Sequence, residues 1–113
     1  MADKFFINKG IFVALGVSTD SRLEHATLER HLANLKYDWK NLFKIESADI
    51  RTVKGKRFIV MDYYDPGKKL NEYFFLNDHE RNSTPVFGFI QYDKATQKEE
   101  ADKLLEIILS SLK

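Results

Sequence analysis

Four cations lie close together in the middle of the chain and are the first residues that suggest a chemistry. They fall within positions 51–57, and a segment rich in aromatic residues follows them. Proteins that bind single-stranded nucleic acid line a groove with cations and stack the bases on aromatic rings. Two tyrosines would supply such rings if they faced solvent. The nucleic-acid-binding hypothesis therefore uses six residues: Arg51, Lys54, Lys56, Arg57, Tyr63 and Tyr73.

The same cations also fit a solvated turn. Lys54 and Gly55 are typical of a two-residue hairpin turn, because glycine tolerates a positive φ. Charged turns keep hairpins in solution, and lysines discourage unwanted pairing at sheet edges. The formal net charge is +1, so no overall field attracts a polyanion. We favour the solvated turn and keep nucleic acid as the alternative partner.

Acidic residues suggest a second chemistry, that of a small hydrolase or nuclease. Glu46, Asp49 and Asp62 could be assembled with Lys54 or Lys56 into an acidic nuclease site. Strands and turns rich in charged residues produce such sets by chance, so this hypothesis ranks third.

The three histidines are the remaining candidates for metal or acid–base chemistry. His25 and His31 lie six positions apart on a predicted helix, whereas a helical metal pair needs positions i and i+4. His31 falls within an apolar stripe, which favours a structural, partly buried histidine. His79 lies between Asp78 and Glu80 in a polar loop of ordinary composition. The sequence predicts neither a metal site nor a cofactor.

Motifs that mark common enzyme sites are missing. The chain has no cysteine, which excludes thiolate catalysis and cysteine-ligated zinc. It contains no G-x-S-x-G motif and no glycine-rich phosphate loop. The sequence therefore favours a protein without catalytic residues.

The hydrophobic pattern predicts the strands that position these residues. Residues 5–17 predict a buried strand, and a break at Asn8-Lys9-Gly10 leaves a hairpin as the alternative. Residues 44–53, 57–64, 70–76 and 85–92 predict four further strands. Asp65-Pro66-Gly67 predicts a sharp turn in which glycine supplies the reversal.

Two segments have helical periodicity. The first begins at a capping box of Ser21 and Glu24 and fades near residues 37–38. Its apolar stripe includes Leu28, His31, Leu32 and Leu35. The second begins at a capping box of Thr96 and Glu99. Its apolar residues recur at helical spacing and are Ala101, Leu104, Leu105, Ile108 and Leu112.

The resulting order, β-α-β-β-β-β-α, predicts an α+β fold. We expect a mainly antiparallel sheet of about five strands with both helices packed on one face. The chain has 113 residues, close to the commonest domain size. We find no linker or internal repeat, so residues 1–113 are predicted to form one domain.

Apolar residues on both faces of the predicted sheet suggest an interaction surface. Phe58 alternates with Ile59, and Phe74 points opposite to Phe75. If the helices cover one face only, the apolar groups left on the other face mark a protein interface. Curling of the sheet, or cover from the N-terminal segment, is the alternative. The predicted interface residues are Phe58, Val60, Tyr64 and Phe74.

The favoured function is a small binding or regulatory domain. It would engage a protein partner or a second copy of itself through this apolar face or through an edge strand. The longest apolar run, residues 11–17, is too short to cross a bilayer, and no signal peptide is evident. We therefore expect a cytoplasmic protein with no membrane partner.

Overall fold

The computed structural model describes residues 2–8, 11–17, 27–78 and 85–112. The elements in chain order are strands β1 (Ala2–Asn8) and β2 (Ile11–Val17), helix α1 (Leu28–Trp39), strands β3 (Lys44–Val53), β4 (Lys56–Asp65), β5 (Leu70–Asn77) and β6 (Val86–Tyr92), and helix α2 (Lys94–Ser111). The α+β class is confirmed, as is the order of the elements after the first. For residues 5–17 the sequence predicted one strand, with a hairpin as the alternative. The structure has the hairpin, formed by β1 and β2.

All six described strands belong to one antiparallel sheet, in the order β1-β2-β6-β5-β4-β3. Strands β3 to β6 form a meander in which β3 pairs with β4, β4 with β5 and β5 with β6. The N-terminal hairpin then joins the meander through β2 and β6, where Phe12 lies opposite Gln91 and Val17 opposite Val86. This arrangement makes β1 and β3 the two edges of the sheet.

The two helices pack on opposite faces of the sheet. Side chains alternate along a strand, so β4 sends Phe58 into a cluster with Leu105 of α2 and Ile59 into a cluster with Leu28 of α1. Helix α2 lies over β5 and β6, and α1 lies over β3 and β4. The prediction that both helices share one face is wrong, because strands that are apolar on both sides need cover on both sides.

Residues with positive φ lie in two turns of the meander, those between β3 and β4 and between β4 and β5. Lys54 (φ 52°) and Gly55 (φ 77°) make the predicted hairpin turn between β3 and β4. In the next turn, between β4 and β5, Lys69 has the positive φ (57°). The prediction that Gly67 supplies the chain reversal is therefore wrong. The side chain of Asp65 accepts a hydrogen bond from the Gly67 amide at 2.9 Å, and its carbonyl accepts one from the Lys69 amide at 2.8 Å. This aspartate turn moves the reversal two residues along the chain.

Helix α1 begins after Thr27, whose side chain accepts a hydrogen bond from the Arg30 amide at 3.1 Å. The predicted capping box of Ser21 and Glu24 lies outside the described residues. The helix ends at Trp39, close to the predicted position. Neither described helix has the length and apolarity to cross a membrane.

Helix α2 begins after Asp93, three residues before the predicted cap. The Asp93 side chain accepts from the Ala95 amide at 2.9 Å, and its own amide donates to the Gln97 side chain at 2.8 Å. The capping box predicted at Thr96 and Glu99 is therefore wrong. Aspartate is the stronger N-cap, and its charge is favourable at the positive end of the helix.

Candidate functional site

A polar cleft lies between α2 and the edge strand β3. Because α2 packs over β5 and β6, the β3 side of the same sheet face is left open. The cleft has a volume of about 340 Å³. Its lining residues are Ser47, Arg51, Asp62, Tyr73, Lys98, Asp102, Leu105 and Glu106.

Lys98 is the centre of a polar network in this cleft. Its ammonium lies 3.2 Å from Oδ2 of the buried Asp62 and 3.3 Å from Oδ1 of Asp102. The ammonium also donates to the Tyr73 hydroxyl, which in turn donates to Asp102. The second oxygen of Asp62 accepts from the Tyr92 hydroxyl at 2.8 Å. Both oxygens of the buried carboxylate therefore have partners inside the protein.

Strand register and helix spacing bring these groups together. Asp62 of β4 lies directly opposite Tyr73 of β5. Tyr73 in turn lies opposite Ile90 of β6, two residues before Tyr92, so all three polar side chains point toward α2. Lys98 and Asp102 lie four positions apart and are neighbours on the surface of that helix.

Electrostatic effects keep Lys98 and the two tyrosines protonated. Burial alone lowers the pKa of Lys98, but the Tyr73 hydrogen bond and the charge of Asp62 outweigh burial and raise that pKa. Burial raises the pKa of both Tyr73 and Tyr92, and their carboxylate acceptors raise it further. A lysine that serves as a catalytic base needs a pKa lowered toward the working pH. The shifts here have the opposite sign, which suits a structural network.

Two ion pairs connect β3 with α2 beside the cleft. Arg51 lies 3.0 Å from Glu106, and Glu46 lies 2.7 Å from Lys94. Glu46 occupies a β-bulge and also accepts from the Asn71 side chain at 2.6 Å. The hydrogen bond from Lys94 is the main reason that the pKa of Glu46 is lowered. The Arg51 and Glu106 side chains are 41% and 58% exposed, so their pair contributes little to stability and can be exchanged for other contacts.

The acids of the nuclease hypothesis are not gathered into one site. Asp62 binds Lys98, Glu46 binds Lys94, and Asp49 is exposed. In the part of the chain that the structure describes, no cluster of three or more His, Asp or Glu side chains is arranged to hold a metal ion.

The histidines do not lie in the cleft where the structure describes them. His31 is half-buried on α1, the helix on the opposite face of the sheet. His25 and His79 lie outside the described residues.

The basic hairpin is tied to the rest of the protein. Arg57 lies 2.7 Å from Glu29 of α1 and 3.0 Å from Asp78, and these hydrogen bonds raise its pKa. Lys56 donates to the main-chain carbonyl of Leu112 at 3.2 Å. Arg51 binds Glu106 as described above, and Lys54 occupies the turn.

The two tyrosines of the nucleic-acid hypothesis are buried. Tyr63 is 1% exposed and Tyr73 is 5% exposed. Tyr63 stacks on Phe43 with ring centroids 4.6 Å apart and donates to the buried Glu72 on the α1 face. Neither ring is available to a nucleic-acid base, so the expectation that Tyr63 and Tyr73 are stacking surfaces is wrong.

Three of the four predicted interface residues lie in the core. Phe58 and Val60 are covered by α2, whereas Phe74 lies 5.2 Å from Trp39 of α1, measured between ring centroids. Tyr64 is half-buried. The expectation of an open apolar face at these residues is wrong, because the helices cover the central strands on both faces.

The outer edge of β3, beside the cleft, has no neighbouring strand in the described sheet. This ten-residue strand pairs with β4 on one side and ends the sheet on the other. Its register with β4 is regular over residues 47–53. Ser47, Asp49 and Arg51 point to the α2 face, and Ala48, Ile50 and Thr52 point to the α1 face.

Sequence reasoning missed Lys98 and Tyr92, the partners of the buried Asp62, and Asp102, which binds Lys98 and Tyr73. One signal was present, since Asp62 and Glu72 interrupt strands that are otherwise apolar. A buried carboxylate needs a cation or hydrogen-bond donors. The identity of those partners depends on which strands are neighbours and on which helix covers them.

Comparison with known proteins places the fold. No family model and no curated protein matches the chain. Among solved structures, the chain is similar to PA94 from Pseudomonas aeruginosa, a protein of unknown function with a suggested role as a regulator. The TM-score is 0.69 at 12% sequence identity, over 91% of this chain and 72% of PA94. The two proteins share a fold.

Proposed function

We propose that the protein is a non-enzymatic binding domain, regulatory in role, that engages a protein partner through the outer edge of β3. The observation that carries this proposal is a ten-residue antiparallel strand whose second side has no neighbour in the described sheet. An extended segment adds to such an edge through main-chain hydrogen bonds, while its side chains occupy neighbouring pockets and give selectivity.

The edge lacks two of the features that normally block pairing, a short length and a proline, while it carries charged side chains and a bulge. Natural edge strands are commonly very short, contain proline or are covered by another element. Strand β3 is long and contains no proline, and its bulge at Glu46 lies near one end. Within residues 47–53, every second residue therefore directs its main-chain donor and acceptor outward, with no bulge in this stretch.

The cleft supports a binding role at the same place. Ser47 and Arg51 belong both to β3 and to the cleft lining, so a segment that pairs with β3 has its side chains next to the cleft. The raised pKa of Lys98 argues against a catalytic base in the cleft. The regulatory role suggested for PA94 agrees with this proposal at the level of the fold.

Site-specific photo-crosslinking tests the proposal. A photoreactive amino acid replaces Thr52, which is exposed on β3, or Thr96, which is exposed on α2 and serves as the matched control. After irradiation in the native cells, we expect a single adduct of defined mass from position 52 and none from position 96. Adducts at both positions, or at neither, would contradict a binding role for this edge.

A further inference from the structure

We propose that the partner of the β3 edge is a second copy of this chain, paired antiparallel about Ile50. This inference rests on the proposed function, because it uses the same edge. A two-fold axis perpendicular to the sheet passes between the two Ile50 residues, and the two six-stranded sheets become one continuous sheet. Residues 47–53 of each copy form the shared ladder, over the stretch where β3 is regular.

The charges of β3 complement themselves in this register. Residues equally far from Ile50 lie opposite one another, so Asp49 of each copy faces Arg51 of the other. Two ion pairs result, one on each side of the axis and both on the α2 face. Opposite charges that lie directly across an antiparallel pair are stabilising, and like charges are destabilising.

The neighbouring registers are disfavoured by the same two residues. A slip of one residue would bring side chains of the α2 face opposite side chains of the α1 face. A slip of two residues keeps the faces matched, but it places either Asp49 opposite Asp49 or Arg51 opposite Arg51. Among these registers, the one centred on Ile50 alone pairs opposite charges.

Apolar contacts on the α1 face favour the same register. Ile50 of one copy lies opposite Ile50 of the other, and Ala48 lies opposite Thr52. Ile50 is half-buried and packs against the cluster beneath α1. Pairing buries more of this side chain and joins the two apolar clusters across the axis, which is favourable because apolar surface leaves water.

The charged side chains are free to make these contacts. Asp49 is exposed, and it has no ion pair or hydrogen bond through its side chain with any part of the chain that the structure describes. Arg51 binds Glu106 through Nη1, and a guanidinium carries donors on two further nitrogens. Both ion pairs can therefore form without breaking the contact to α2.

Charge reversal tests this register, because two variants that each weaken the dimer should restore pairing when they are mixed. Asp49→Arg places arginine at positions 49 and 51, and Arg51→Asp places aspartate at both. Each variant alone sets like charges opposite one another across the axis. In an equimolar mixture, every arginine of one variant faces an aspartate of the other, and the paired heterodimer is favoured.

Sedimentation equilibrium measures the outcome. We expect a wild-type dimer, a dissociation constant raised about tenfold or more in each variant, and recovery close to wild type in the mixture. Asp38→Arg, at an exposed position on α1, is the matched control and should leave the constant unchanged. Circular dichroism melts confirm that both variants are folded.

A wild type that stays monomeric, or a dimer that tolerates both reversals, overturns self-pairing. If the wild type is monomeric while position 52 crosslinks a different protein, self-pairing fails and the proposed function stands. If the wild type is monomeric and position 52 forms no adduct, both proposals fail.

Discussion

At the scale of the residue, the side chains that suggested chemistry are engaged with one another. Asp62 belonged to the nuclease hypothesis on sequence grounds, yet its carboxylate is buried between Lys98 and Tyr92. Removing one partner of a buried polar group costs more than the contact itself contributed, because the remaining group has lost its water. The network around Lys98 should therefore show its importance in stability.

Lys98→Met keeps most of the side-chain length and removes the charge beside Asp62. We expect the free energy of unfolding to fall by about 1 to 2 kcal/mol, in the lower part of the usual range, because water screens a partly exposed ammonium. Urea denaturation measures this change. Lys103→Met, at an exposed position on the same helix, is the control and should have little effect.

The double variant Asp62→Asn with Lys98→Met should lose less stability than the two single variants added together. Groups in direct contact couple in this way, whereas independent positions are additive. Strict additivity would show that the two side chains do not act as a pair.

At the scale of the element, α2 is amphipathic and attached by one stripe. Its buried residues are Ala101, Leu104, Leu105, Ile108 and Leu109. Ile107, on another side of the helix, is 62% exposed. The two aliphatic residues Leu105 and Ile107 therefore allow a comparison within a single helix.

Leu105→Asp should largely unfold the protein, and Ile107→Asp should not. An aspartate at position 105 is buried without a partner and costs several kcal/mol, against a typical total stability of about 5 to 15 kcal/mol. Thermal melts by circular dichroism compare the two variants. Equal melting temperatures would mean that α2 is not docked on the sheet.

The presence of every described element except the separate strand β1 could be predicted from the sequence, but the surroundings of the elements could not. The bounds of β3 and the Lys54-Gly55 turn depend on local patterns and agree with the structure. The cap at Asp93 and the reversal at Lys69 result from competition between adjacent polar residues, which a motif does not resolve. The sequence also does not show which face of the sheet each helix covers, because β4 and β5 are apolar on both faces.

The candidate site was predictable only in part, for the same reason. Arg51 and Asp62 were singled out by charge and by their places in strands. Their partners Glu106 and Lys98 come from a helix far along the chain, and only the packing of α2 on the sheet brings them close. The open edge of β3 follows from strand order, which no local pattern encodes.

At the scale of the whole molecule, stability should fall in alkaline solution. Burial raises the pKa of Tyr63, Tyr73 and Tyr92, and interactions raise that of Lys98. A group whose pKa is higher in the folded state stabilises that state below its unfolded pKa, and the contribution is lost as pH rises. Unfolded tyrosine and lysine titrate near pH 10, so the free energy of unfolding should decline above about pH 10.

The midpoints of urea unfolding, measured from neutral to strongly alkaline pH, test this decline in stability. Tyr63→Phe and Tyr92→Phe should each make the decline less steep, because one titrating group is removed. Tyr37→Phe, at a ring that is 70% exposed, is the matched control. A decline that is equally steep in all three variants would contradict the role given to the buried hydroxyls.

The pairing of β2 with β6 has a consequence for how the chain is made. The ribosome delivers β2 well before its neighbour β6, the last of the six described strands in chain order. At a translation rate of 5–20 residues per second, the roughly seventy residues between them take about 4 to 14 seconds. During that interval the nascent hairpin has no sheet to join, and apolar residues such as Ile11 and Val13, which end up fully buried, remain available to chaperones. The sheet closes only after β6 has left the exit tunnel, so β2 waits for its second neighbour until the rest of the described sheet has been synthesised.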